Sequence, residues 1–207
     1  MNARFVLVKY HNIINDLIEC FKKLPGIGEK TAERLALSTL DMDQEILDIF
    51  SDSLKNIKMS IKRCKICNNL TDEDFCTICK NSSSRDTSTI CVVEEPKNVI
   101  LFERVGTYNG LYHVLDGLIS PLDGVNPEDI NIKSLVERIK NEKIKEVIIA
   151  VKPSVEGETT ALYISKLLEG LDVVVSKIAH GVPIGVDMEY IDSMTLEMAL
   201  EDRKNIA

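Results

Sequence analysis

The chain has 207 residues, 44% of them hydrophobic and 28% charged, with a formal net charge of −8. That length suits one large domain or two to three small ones. No apolar run approaches the ~18–20 residues that cross a bilayer, and Phe5-Val6-Leu7-Val8 is too short for a signal-peptide core. A cytoplasmic protein with reduced cysteines is therefore expected, with no membrane partner.

Residues 12–23 place Ile13, Ile14, Leu17, Ile18 and Phe21 at helical spacing. Leu-Pro-Gly-Ile-Gly follows at 24–28, and a second helix is expected over Thr31–Leu40. Gly26 and Gly28 flank a single apolar residue, so the turn is tight and its glycines supply backbone angles that other residues adopt at a cost. The free N–H groups of such a turn, with the N-terminus of the next helix, suit a phosphate oxygen. Lys30 and Arg34 are four apart and share a helical face, with Lys23 nearby on the first helix. This helix-hairpin-helix pattern points to sequence-independent contact with a nucleic-acid backbone. The bland alternative is a plain helical corner with surface charges.

Asp43–Ile61 reads as a third helix, with Ile46, Leu47, Ile49, Phe50, Leu54 and Ile57 on its buried side. Cys64-Lys-Ile-Cys67 and Cys76-Thr-Ile-Cys79 then form a paired CxxC array across an eight-residue polar spacer. Two such knuckles place four thiolates around one tetrahedral ion, usually zinc, and the metal replaces a missing core. A disulfide pair and an iron–sulfur site are the alternatives. Cys20 and Cys91 fall on apolar patterns and are expected in the core. Residues 81–88 are a polar linker.

Beyond the linker the pattern changes. Thr89–Val93 is a buried strand ending at Glu94, Asn98–Arg104 a helix and Leu111–Leu115 a strand. Pro127–Asn141 is a helix, Glu146–Val151 a strand, Glu158–Glu169 a helix and Asp172–Ile178 a strand. That alternation implies a parallel α/β sheet. A glycine-bearing loop from Gly181 and a last helix from Thr195 close the chain. The acidity is confined to this part: residues 90–207 hold 20 acidic and 12 basic residues, against 9 and 10 in residues 1–63. DNA contact thus belongs to the N-terminal region. One copy neutralises few phosphates, so several copies acting together are expected.

Val151-Lys-Pro-Ser-Val-Glu-Gly-Glu158 resembles the signature of the Toprim fold of type IA topoisomerases and bacterial primases, in which a Glu and two Asp hold magnesium. Here Glu94 matches the Glu, but Lys152 and Ser154 stand at the aspartate positions. Glu94, Glu156 and Glu158 survive as an acidic patch. No tyrosine has the context of a nucleophile, and no GxxxxGK[ST] phosphate loop exists. His113 and His180 read as packing or turn residues rather than catalysts.

The order of these parts resembles the bacterial recombination mediators of the RecR family from about Asn12 onward. LPGIGEKTAERLA, ICVVEEP, SPLDGV, VEGE, IAHGVPIG and MEY carry the likeness. The resemblance implies an α+β multidomain protein. Its parts would be a helix-hairpin-helix region at 1–57, a four-cysteine zinc finger at 58–83, a Toprim domain at 87–182 and an oligomer-contact segment at 183–207. It implies a non-catalytic role in DNA repair, with single- and double-stranded DNA bound by a homodimer or homotetrameric ring. RecO and RecF would be partners in loading RecA onto SSB-coated DNA. Zinc would be held by Cys64, Cys67, Cys76 and Cys79; DNA by Lys23, Gly26, Gly28, Lys30 and Arg34; and RecO by the face holding Glu94, Glu156, Glu158 and His113. A magnesium-dependent nuclease or topoisomerase-like enzyme is the alternative, as is a zinc-bearing interaction protein that never touches DNA. Lys152 and Val186 depart from the family's usual residues, and the first nine residues extend beyond its usual start.

Overall fold

The computed structural model describes residues 10–179 and 181–203; the expectations for Phe5–Val8 and His180 lie outside them. The chain divides into two units, at Ser60 and Ile61.

The first unit is helical: α1 (Asn12–Lys22), α2 (Glu29–Ser38), a single 3-10 turn at Thr39–Asp41, and α3 (Gln44–Ser60). Its core is small. Ile18 of α1 meets Ala32 and Ala36 of α2, flanked by Ile14, Leu17, Phe21 and Ile27. The alanines let the two helices approach closely. The expected buried side of α3 is not buried: Ile46, Ile49, Phe50, Leu54 and Ile57 are exposed, and Leu47 only half-covered. Periodicity identifies an apolar face, but not what covers it. Cys20 is likewise exposed rather than in the core.

The second unit opens with the cysteine loop. β1 (Lys62–Arg63) pairs antiparallel with β2 (Leu70–Thr71), and α4 (Thr77–Lys80) carries the last cysteine. Next come β3 (Asp86–Val93), α5 (Pro96–Val105), β4 (Gly110–Val114), α6 (Ile132–Asn141), β5 (Glu146–Ala150), α7 (Val155–Leu168), β6 (Val174–Lys177) and α8 (Ser193–Glu201). The four longer strands form one all-parallel sheet in the order β4-β3-β5-β6. Parallel strands covered on both faces read as continuous apolar runs, as Ile90-Cys-Val-Val93 does. One face packs Ile90, Val92, Leu111, Val147 and Ile149 against Ile132, Leu135 and Ile139 of α6 and Ala161, Ile164 and Leu168 of α7. The other packs Cys91, Val93, Tyr112 and Val114 against Val99 and Phe102 of α5.

The expected starts of α2, α5 and α8 each move two residues earlier, and two others move further. α6 begins at Ile132, because Asn126–Asp129 closes its own turn through the Asp129 carboxylate. α7 begins at Val155, because Ser154 Oγ caps it by accepting from Gly157 N at 3.2 Å. A side chain at Gly157 would overlap the Lys152 carbonyl oxygen, so this turn admits only glycine.

β4 is an edge strand, yet all five of its residues are buried. Its outward groups are taken one by one. Arg85 Nε donates to Gly110 O at 2.9 Å, and Arg138 Nη1 to Tyr112 O at 2.8 Å. Val114 N donates to Cys67 O at 2.8 Å, while Asn68 Nδ2 donates to Val114 O at 3.1 Å. The cysteine loop thereby packs on the sheet edge, tied further by an Arg63–Asp116 ion pair at 2.5 Å.

Candidate functional site

Three places carry the expected functional residues. In the first, the sulfurs of Cys64, Cys67, Cys76 and Cys79 lie within 4.8 Å of one another, all buried or nearly so. A tetrahedral zinc with Zn–S near 2.3 Å needs sulfurs about 3.8 Å apart, and Cys67 Sγ lies 3.5 Å from Cys76 Sγ. Cys76 N also donates to Cys64 Sγ at 3.3 Å, a contact that favours a thiolate. Donor set and geometry both suit zinc. Without a cation the sulfurs share protons. Cys67, hydrogen-bonded to Cys76, is pushed up to about 12; Cys79, held by Cys67 and Cys76, is pushed up too; Cys76, accepting from Cys67, is pulled down. The four cysteines form the cluster's only metal-ligating groups among the described residues, which leaves no open catalytic position.

In the second, the hairpin between α1 and α2 turns at Gly26, where φ is +79°. Gly28 is different: its φ is −84°, extended backbone open to any residue, and it stands at the N-cap of α2. Its value there is space, since nothing lies within 4 Å of where a Cβ would project. Lys23, Lys30 and Arg34 are all exposed and make no ion pair among the described residues. Lys22, by contrast, is held by Glu19 at 2.8 Å and Glu29 at 2.6 Å. The helix start thus offers free amides and unpaired cations to an anion.

The third place is the crest of the parallel sheet. β3 connects to β4 on one side and β5 to β6 on the other, so the chain reverses direction between the carboxyl ends of β3 and β5. Open α/β sheets bind ligands at this switch point. Here it holds Glu94 and Lys152, with Nζ 3.5 Å from Oε1. The remaining carboxylates belong to the first turn of α7. Ser154 Oγ donates to Glu156 Oε2 at 2.7 Å, and this hydroxyl, ahead of the Lys152 charge, lowers the Glu156 carboxyl below its usual range. Glu158 is paired with Lys177 of β6 at 2.9 Å.

The expected acidic patch is therefore largely neutralised from within. Lys177, 19 residues from Glu158 in sequence yet beside it in the fold, carries no motif signal.

His113 is not on that face. It is wholly buried, its Nε2 2.8 Å from Asn131 O and its Nδ1 without a partner among the described residues. A partner could not touch it. Burial pushes its pKa down to about 4 despite the Asn131 hydrogen bond, and Arg138 adds to the depression, so the ring is neutral.

No helix among the described residues is long and apolar enough to cross a membrane. Family comparisons match the RecR helix-hairpin-helix over residues 14–58 and the RecR four-cysteine zinc finger domain over 61–81. They match the Toprim domain over 88–179 and the RecR C-terminal region over 181–204. The zinc finger match falls on the sulfur cluster and identifies zinc as its structural ion. Four matches in this order, each on the segment whose geometry fits it, place the chain in the RecR family of DNA-binding repair proteins.

Proposed function

We propose that this chain is a recombination mediator that binds DNA as an oligomer and performs no catalysis of its own. It acts with RecO and RecF to load RecA onto SSB-coated single-stranded DNA. Residues 1–57 serve DNA contact through Lys23, Gly26, Gly28, Lys30 and Arg34. Residues 58–83 bind zinc through Cys64, Cys67, Cys76 and Cys79. Residues 87–182 offer the sheet crest to RecO, and 183–207 join copies into a dimer or tetrameric ring.

The observation that carries the non-catalytic reading is the ammonium of Lys152 beside Glu94. A divalent cation there meets a resident positive charge, which argues against magnesium-dependent cleavage. Glu156 is the one carboxylate of the three without a lysine partner among the described residues, so the RecO contact centres on it.

The DNA part is tested by salt titration. Replacing Lys30 and Arg34 by Ala should weaken binding to every sequence alike and flatten the log–log salt slope by roughly 0.7–0.9 for each lost contact in each subunit. Unchanged affinity and slope in the double variant would leave the hairpin as a corner only.

A further inference from the structure

Beside the zinc loop lies a cavity of about 330 Å³, away from the sheet crest and walled jointly by the loop and the sheet. Its size falls within the roughly 300–1,000 Å³ of small-molecule sites. Leu111, Cys79 and Arg138 are buried and form its floor; Ile66, Thr87 and Lys143 are exposed and form its rim, with Ser82 between.

Arg138 is the unusual member. Only 6% of its side chain is exposed, and a cation is rarely buried so far without full pairing. Its Nε donates to both Glu142 oxygens at 3.1 Å and its Nη1 to Tyr112 O at 2.8 Å. These bonds fix the guanidinium plane. Nη2 makes no hydrogen bond among the described residues. The only buried side-chain polar atom lacking a partner there is His113 Nδ1, so Nη2 keeps some access to solvent, and Arg138 lines the cavity.

Around it stand three more donors with no protein partner among the described residues: Ser82 Oγ, Thr87 Oγ1 and Lys143 Nζ. Arg138 and Lys143 against Glu142 leave one net positive charge. Glu142 also lines the cavity, but both of its oxygens already accept from Arg138 Nε, so the free groups are donors; a fixed guanidinium edge and a surplus cation then describe an oxyanion site. Four donors lining one cavity match the three terminal oxygens of a phosphate better than the two of a carboxylate. Leu111 and Ile66 give the rest of the ligand an apolar wall.

We propose that this cavity binds the phosphate monoester of a small molecule of nucleotide size, with Arg138, Lys143, Ser82 and Thr87 on the phosphate and Ile66 and Leu111 against the base. The site is independent of the hairpin's backbone contact and of the sheet crest.

Titration of the zinc-loaded full chain with AMP, adenosine and inorganic phosphate, followed by amide NMR, tests it. AMP should shift the amides of residues 82, 87, 138 and 143 saturably; phosphate should shift the same amides more weakly, and adenosine should not. Because Arg138→Met removes a bond to the sheet edge and can unfold the chain, the deciding variant is Lys143→Ala with Thr87→Val, both at the exposed rim. It should keep its zinc and its spectrum and lose about tenfold in AMP affinity, as expected for a lost charge-assisted contact. No saturable shift with AMP, equal binding of adenosine, or undiminished AMP affinity in the double variant would overturn the proposal. So would displacement of AMP by oligonucleotides only in step with their hairpin binding, which would make the cavity part of the DNA surface.

Discussion

Lys152 Nζ stands 3.5 Å from Glu94 Oε1, at the switch point of the sheet, where a cation-binding Toprim site would hold its ion. Glu94 has four-fifths of its side chain covered and Lys152 only about half, so the lysine lies over the carboxylate as a lid. Replacing Lys152 by Asp removes the resident charge and adds a ligand. Manganese binding, read by electron paramagnetic resonance, should then be measurably tighter in the variant than in the parent. Equal binding in both would mean that the lysine does not set the site's charge.

Glu156 should matter more to an acidic–basic encounter than its neighbours. Its charge is supported by Ser154 and has no lysine against it, whereas Glu158 is held by Lys177. Glu156→Lys should reduce the association rate with RecO most at low salt, with zinc content unchanged. Glu158→Gln should do less. Calorimetry and stopped-flow mixing with both variants check the ranking.

Metal removal should do more than loosen a surface loop. Cys67 and Cys79 hold their protons above the usual thiol range, so binding zinc must release them. Zinc affinity should therefore rise with pH, and chelation should succeed at lower chelator concentrations in mild acid. Since Val114 N donates to Cys67 O, its amide should lose hydrogen-exchange protection when zinc leaves. Protection that survives chelation would show that the loop keeps its shape without metal.

His113 should make the second unit acid-sensitive. Its folded pKa lies near 4, below the ~6.5 of an exposed ring. Between those values the unfolded chain binds the extra proton, so stability is complete above pH 6.5 and is lost as pH falls toward 4. The full loss is about 3 kcal/mol, of which about 2 kcal/mol comes by pH 5. Urea unfolding of the parent and of His113→Leu at pH 7 and pH 5 should show a smaller pH decrement in the variant by about that amount.

The two hairpin glycines should part company. Gly26→Ala forces a side chain into φ +79° and should cost about 1 kcal/mol. Gly28→Ala carries no such strain. It should leave the melting temperature nearly unchanged while weakening DNA binding, because a methyl group would stand over the open helix start. Thermal melts beside DNA titrations separate the two effects.

The cysteine quartet is fully legible in the sequence, because metal ligands come at spacings that chain geometry fixes. The alternation of strands and helices after residue 89 is legible too, since buried parallel strands leave continuous apolar runs. Partnerships between distant segments are not. Nothing near Glu158 announces Lys177, and nothing near Lys152 shows that its amine reaches Glu94 rather than water. His113 has the look of half an exposed edge. Its burial goes with the segment at Asn131 and α6 lying over β4, a tertiary fact absent from Leu111–Val114 itself. The apolar stripe of α3 is real as a stripe but is not core, because spacing cannot say whether this chain supplies the cover.

An open parallel sheet has two raw margins, and either can recruit a foreign strand. This chain seals the β4 margin itself, with Arg85, Arg138, Asn68 and the Cys67 carbonyl occupying the groups a guest would need. Half of that seal hangs on a loop that a metal ion organises. Loss of zinc should therefore bare the Val114 end of this margin, where Cys67 and Asn68 now sit, while Arg85 and Arg138 still cover the rest. The ion's reach thus extends past its own loop, to whether one end of the sheet can pair with a stranger.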